Sequence, residues 1–156
     1  MKFLLLDQIV HRETERIVAR KQVSLAEEYL QDHFPGYPVL PGVLMLETMV
    51  QAARELLAER AGVRLVLGGV RALKYGAMVR PGDALEVEVK VLKPREDGSF
   101  DCRGTGRVLR RTADGDATDE TAVSGRFTMR PVRTALVEPH AGLDITQERD
   151  PHGHEP

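Results

Sequence analysis

Between His33 and Gln51 the chain reads HFPGYPVLPGVLMLETMVQ, a loop carrying Pro35, Gly36, Pro38 and Pro41 that runs without a break into an apolar helix. Proline fixes φ and glycine frees it, so such a loop reads as a rigid, specifically shaped turn. A helix is expected from Pro41 or Gly42 to about Arg60, with proline suited to the first turn and Ala61-Gly62 as the stop signal. In its first turns Val43, Leu44, Met45, Leu46, Met49, Val50, Ala52 and Ala53 cover nearly every face. A helix apolar all round has to be buried all round. Its later half, RELLAER, is amphipathic and should reach solvent. One carboxylate, Glu47, stands alone in the apolar part. A carboxyl in an apolar setting is costly unless something needs it, and a histidine on a stiff loop beside it makes an acid/base pair.

After residue 64 the period changes from helical to two. ALEVEVKVLKP sets Leu85, Val87, Val89 and Val91 on one face and Glu86, Glu88 and Lys90 on the other, as a one-sided antiparallel strand does. RLVLGGVRALKYGAMV reads as a strand interrupted by a glycine pair, and Arg80-Pro81-Gly82-Asp83 and EDGS read as turns. FDCRGTGRVLRR and TAVSGRFTMRP are two further strands, with TADGDATDE as a polar, acidic loop between them. Upstream, residues 3–10 form a short helix or strand, ERIVARKQV a strand, and SLAEEYLQDH a short helix capped by Ser24. The sum is an α+β domain, an antiparallel sheet wrapped round one long central helix. One sheet cannot cover every face of that helix, and pairing with a second copy is the simplest way to bury the rest.

At 156 residues this is one domain, placed at 1–130, followed by an acidic tail at 131–156 expected to be extended or disordered. The tail holds Arg133 and Arg149 against Glu138, Asp144, Glu148, Asp150 and Glu155; it therefore carries −3 and the body +1 of the net −2. That balance, with no tryptophan, speaks against a nucleic-acid binder. Arg54, Arg60, Arg64, Arg71, Lys74 and Arg80 lie close in sequence and read as solvated charges. The lone Cys102 permits no intrachain disulfide and fits a reducing compartment; in its polar strand it makes a poor nucleophile. The apolar run at the start is too short for a signal peptide or a membrane span, so the cytoplasm is the expected location. The HGH of the tail is a weak metal signal, and no metal is expected.

The stretch HFPGYPVLPGVLMLETMVQ resembles the signature of the hotdog-fold 3-hydroxyacyl-(acyl-carrier-protein) dehydratases of type II fatty acid synthesis. LLLDQIV and GGVRALKYGAMVRPGDALEVEVKVLK are similar to two further segments of that family, which brings the resemblance to residues 3–130. It implies a hotdog fold and removal of water from a 3-hydroxyacyl thioester to give the trans-2-enoyl thioester, with no cofactor. His33 matches the family's catalytic histidine and Glu47 its carboxylate. The resemblance also implies that the two come from different subunits of an obligate homodimer, with trimers of dimers common, and that acyl carrier protein delivers the substrate. His33 would act as base and Glu47, keeping its proton in an apolar pocket, as acid. The backbone N–H groups of Gly42 and Val43, at a helix start, could hold the charge that develops on the thioester oxygen. Phe34, Tyr37 and Tyr75 are candidates for an acyl tunnel, although Tyr75 could equally be packing. Gln51 reads as a structural hydrogen-bonding residue.

Departures from the family pattern are Asp32, which would place a charge beside His33, Tyr37, Ala72, and an LVLGG segment without the aromatic that often gates the tunnel. They bear on chain length and carrier contact, and leave fatty acid or polyketide synthesis both open. Two other readings stay open: a hotdog acyl thioesterase, which does not require the histidine, and a non-catalytic acyl-binding protein of the same fold.

Overall fold

The computed structural model describes residues 3–111 and 117–132. Six strands form one antiparallel sheet: β1 (Gln8–Arg12), β2 (Arg16–Gln22), β3 (Leu65–Tyr75), β4 (Ala84–Pro94), β5 (Phe100–Arg111) and β6 (Ala117–Pro131), in the order β1-β2-β4-β5-β6-β3. The helix α1 (Gly42–Ala61) lies against the inner face and packs on β2 to β6, while Arg12 of β1 reaches it through the Glu55 carbonyl. This is the expected hotdog arrangement. The core is built from the alternation in β4, where Leu85, Val87 and Val89 are wholly buried, and from Met49, Ala52, Ala53 and Leu57 of α1. Gly62 ends the helix in the left-handed region, at φ 62°. No helix among the described residues is long and apolar enough to cross a membrane.

The helix is not buried all round within one chain. Val43 is 68% exposed and Leu44 and Leu46 are only partly covered, because the sheet wraps one side and nothing among the described residues wraps the other. Three local expectations also change. Residues 3–7 are irregular, and the first strand is β1. SLAEEYLQDH contains only a 3-10 turn at Glu28–Leu30; Ser24 Oγ accepts from the Ala26 N–H in a tight local turn, and the buried Lys21 takes the Glu27 carboxylate at 2.7 Å. The strand after the acidic loop begins early, at Ala117, with Leu109 paired to Asp119. The expected tail, from residue 133 onward, lies outside the described residues, as does the HGH motif.

The glycine-pair expectation holds in detail: the β3–β6 register slips between Leu67 and Gly69. It slips again between Arg71 and Lys74, where Ala72 has φ 50°. The Arg80–Asp83 turn is closed by Asp83, which is buried, accepts from the Arg80 N–H at 2.8 Å and pairs with Arg110 through both carboxylate oxygens. Past β3, the chain runs beside the His33 loop, and the Leu40 N–H donates to the Val79 carbonyl at 2.8 Å. That ladder fixes the loop against the sheet.

Candidate active site

His33 is held from both ends of its residue by Val39. The Val39 N–H donates to the His33 carbonyl at 3.0 Å, and His33 Nδ1 lies 3.0 Å from the Val39 carbonyl. A carbonyl only accepts, so Nδ1 carries the proton and Nε2 is left with its lone pair, the tautomer a general base needs. The intervening loop closes on itself through reciprocal Phe34–Tyr37 backbone hydrogen bonds, with Gly36 at φ 75°. The imidazole stacks on Phe34 at 4.3 Å. It makes no ion pair with Asp32, which points to solvent, so the added charge next door does not clamp the ring.

His33 opens into a cleft of about 510 Å³ with Gly42, Val43, Tyr75, Met78 and Ala122 among its walls. In the first turn of α1 the Leu44 and Met45 N–H groups both donate to the Pro41 carbonyl. The N–H groups of Gly42 and Val43 find no acceptor among the described residues. They are the orphan donors of a helix start, and they border the histidine cleft. A Cβ at Gly42 would sit 2.8 Å from the ring of Tyr75, so a larger residue there has to push that ring aside. Tyr75 is therefore packed onto the helix start and lines the cleft. Phe34 and Tyr37 do not line it in the single chain; both are exposed, and Tyr37 lies under the Arg80 guanidinium at 4.5 Å.

Glu47 is elsewhere. It faces a second cleft, of about 880 Å³, with Leu44, Gln51, Arg54 and the N-terminal segment Phe3–Ile9. Its Oε1 accepts from Gln51 Nε2 at 3.1 Å and lies 3.9 Å from Arg54 Nη1. The setting is thus not the apolar pocket expected: its side chain is 36% exposed in the single chain and its neighbours are an amide and a guanidinium. Gln51 carries the structural hydrogen bonds anticipated for it. It accepts from the Leu5 N–H and donates to the Phe3 carbonyl, each at 2.9 Å, so the N-terminal segment is pinned to the helix beside Glu47. Arg54, which reads from the sequence only as one of several solvated charges, is anchored through Nε to the Leu65 carbonyl at 3.1 Å and stands beside Glu47. The signal was available: positions four and seven after Glu47 lie on the same helix face.

Cys102 is fully buried, and burial pushes its thiol up to about 12, which removes it as a nucleophile. His11 is exposed and paired with Glu13 at 2.6 Å.

A sheet wrapped on one helix, with a loop histidine and a helix carboxylate opening into different clefts, defines a hotdog protein whose two acid/base groups are not united within one chain. The family model described as ApeI-like, ApeI dehydratase, matches residues 9–114, and the chain belongs to that dehydratase family. Among curated relatives, the 3-hydroxyacyl-[acyl-carrier-protein] dehydratase FabZ of Chloroflexus aggregans is 40% identical over 118 residues, covering 73% of this chain and 77% of the relative. That of Pediococcus pentosaceus is 44% identical over 84 residues, 52% of this chain; the chain spans only 56% of that relative's length. Of solved structures, the dehydratase heterocomplex ApeI:P from Xenorhabdus doucetiae aligns with TM-score 0.56 at 20% identity, over 79% of this chain and 96% of that one. An acyl-CoA hydrolase from Agrobacterium tumefaciens aligns with TM-score 0.60 at 14% identity, over 79% and 45%. At these identities the two structures establish the shared fold alone.

Proposed function

We propose that this protein dehydrates a 3-hydroxyacyl thioester carried on acyl carrier protein to the trans-2-enoyl thioester, at a site completed by two copies of the chain. The observation that carries this reading is the separation of His33 and Glu47 into two clefts of one chain. A homodimer that lays the Glu47 cleft of one copy against the His33 cleft of the other makes one acid/base site from two halves, and covers Val43 and Leu44.

The chemistry follows from the groups each half presents. His33 Nε2 removes a proton from the carbon next to the thioester carbonyl. Negative charge builds on the carbonyl oxygen, and the free N–H groups of Gly42 and Val43 receive it, at the positive end of α1. The bond to the 3-hydroxyl then breaks, and Glu47 of the other copy gives that oxygen the proton with which it leaves as water. The imidazolium and the carboxylate return to their starting states by passing a proton through solvent. Gln51 holds one carboxylate oxygen, Oε1, which leaves Oε2 to face substrate. Tyr75 forms the wall against which the acyl chain lies; Phe34 and Tyr37, outside the single-chain cleft, border the tunnel only once the second copy closes it.

The test is mass spectrometry of a 3-hydroxyacyl carrier-protein thioester, and separately of the enoyl form, incubated with the pure protein. Loss or gain of one water, absent with His33→Ala, supports the reading. Release of free acid and carrier thiol would replace it with a thioesterase. No change over several chain lengths would leave an acyl-binding protein.

A further inference from the structure

Strands β3 and β4 follow each other in sequence but are not neighbours: β6 and β5 lie between them. The connection from Gly76 to Asp83 therefore crosses three strand intervals, roughly 14 Å. It forms neither helix nor strand, so its backbone is held by what it passes. β6 supplies backbone: the Gly76 and Ala77 N–H groups donate to the Ala122 and Thr121 carbonyls at 2.8 and 3.0 Å. β5 has its backbone paired with β4 and β6 on its two sides, and it reaches the connection with a side chain. Register sets Leu109 opposite Ala84, which brings Arg110 opposite Asp83. Arg110 Nε and Nη2 donate to the two carboxylate oxygens of Asp83 at 2.8 and 2.7 Å, and Nη2 also donates to the Met78 carbonyl at 3.1 Å. Asp83, only 4% exposed, accepts from the Arg80 N–H as well. One ion pair thus fixes the chain on both sides of Val79.

The histidine loop hangs on that point. The buried Val79 accepts from the Leu40 N–H, and Leu40 follows Val39, whose N–H and carbonyl hold His33. The Arg80 guanidinium covers the ring of Tyr37, inside the same loop, at 4.5 Å. Met78 walls the His33 cleft. A buried ion pair is often no more stabilising than apolar side chains of like volume, so stability alone gives this pair no reason to be charged. We propose that Asp83 and Arg110 are a positioning pair for His33: they hold residues 78–80, against which the histidine loop is laddered, and so keep the ring's Nδ1 at the Val39 carbonyl and its Nε2 free to accept a proton. Neither residue touches the reacting atoms. Arginine suits the place because its planar fork serves a carboxylate through two bonds and a carbonyl through a third, whereas a lysine ammonium answers the charge without the fork. The effect on turnover rests on the dehydratase reading; the effect on the ring does not.

The experiment uses two variants. Arg110→Lys keeps a cation beside the buried carboxylate and so preserves the fold, and Asp83→Asn/Arg110→Gln removes both charges together, leaving neither one buried alone. Urea unfolding and circular dichroism establish that each is folded. The first readout is the imidazole nitrogen NMR spectrum of His33, assigned by its absence from His33→Ala. The parent ring should be held as the Nδ1–H tautomer, and both variants should shift toward a mixture, because the proton's place is set by the hydrogen bond that Nδ1 makes. The second readout is turnover of the 3-hydroxyacyl carrier thioester, where kcat should fall by about tenfold or more while KM stays within about threefold, as for a base moved out of line. A tautomer mixture in folded variants supports the proposal even if the parent shows no turnover, in which case the dehydratase reading alone has failed. Lower urea stability with the parent's His33 spectrum retained would make the pair structural and overturn the proposal, as would an unchanged kcat in variants of an active parent.

Discussion

His33 and Glu47 come from one continuous motif, yet the chain holds them in opposite ways. The histidine is fixed by backbone: two contacts with Val39, a closed loop, and a ladder bond from Leu40 to Val79. The carboxylate is fixed by side chains: Gln51 on one oxygen, Arg54 at a distance, and an N-terminal segment hung from Gln51. His33 is thus set by backbone, whereas Glu47 depends on one amide. The proposed two-chain site would gain from this, since one of its halves keeps a side-chain geometry that can adjust.

The largest effects test whether the two halves belong to one site. His33→Ala and Glu47→Gln should each lower kcat by at least about a hundredfold, the usual worth of a general acid or base, with circular dichroism and the elution volume of the assembly unchanged. Mixing the two inactive proteins under conditions that exchange subunits should restore activity, because half of the hybrid sites carry both intact groups. No recovery after exchange, followed by a mass-tagged subunit, would mean that each site draws on a single chain.

The next effect separates backbone from side chain within the histidine half. A Cβ at Gly76 would collide with the Thr121 carbonyl, which is backbone and cannot swing away, whereas a Cβ at Gly42 meets only the Tyr75 ring. Gly76→Ala should therefore cost about 1–3 kcal/mol in urea unfolding, the range for overpacking. Gly42→Ala should leave stability nearly unchanged, since the half-exposed ring can turn, and should lower kcat/KM because that ring walls the cleft. Equal destabilisation by both would show that Tyr75 is packing and not a movable wall.

How much of this was legible in the sequence depends on which force places each residue. The helix limits and the β4 alternation were readable because burial is written in hydropathy: Val87 and Val89 are wholly buried and Lys90 exposed, as their parity requires. The start of β6 was not, because Thr118 and Asp119 are held by backbone pairing to Arg110 and Leu109 and by the Arg107–Asp119 ion pair at 2.7 Å, none of which shows as an apolar pattern. The Ser24 helix failed for a related reason: Lys21 draws Glu27 away and Leu30 turns inward, so tertiary contacts override a fair helical propensity. At the site, residue identities were legible and surroundings were not. Glu47 looked apolar in its setting because Gln51 and Arg54 lie one and two turns further along the helix. The pairing of Arg110 with Asp83 is set by register, which composition does not contain.

Gln51→Ala tests the side-chain half at a smaller scale. It removes three hydrogen bonds and leaves the Leu5 N–H without its acceptor. At about 0.5–1.5 kcal/mol per bond, partly recovered by water at this open edge, the loss should be about 2 kcal/mol. Faster amide exchange at Leu5 should accompany it, along with a fall in kcat larger than any change in KM. A stability loss with kcat intact would mean that Gln51 serves the N-terminal segment alone and that Glu47 orients itself.

Arg54→Gln should be the mildest change and the sharpest on the comparison. Its guanidinium stands 3.9 Å from Glu47 Oε1, about a third exposed, while its Nε holds the Leu65 carbonyl at the foot of β3. Exposed pairs at such distances are worth about 0–1 kcal/mol and less in salt. The amide of glutamine can keep a hydrogen bond near that carbonyl but brings no charge. Stability should therefore shift by less than about 0.5 kcal/mol, and kcat by only a few fold, with the difference fading as salt is raised. If Arg54→Gln instead matched the loss caused by Glu47→Gln, the carboxylate would owe its position to charge and not to the Gln51 amide, and the acid would be held across two turns of helix instead of one.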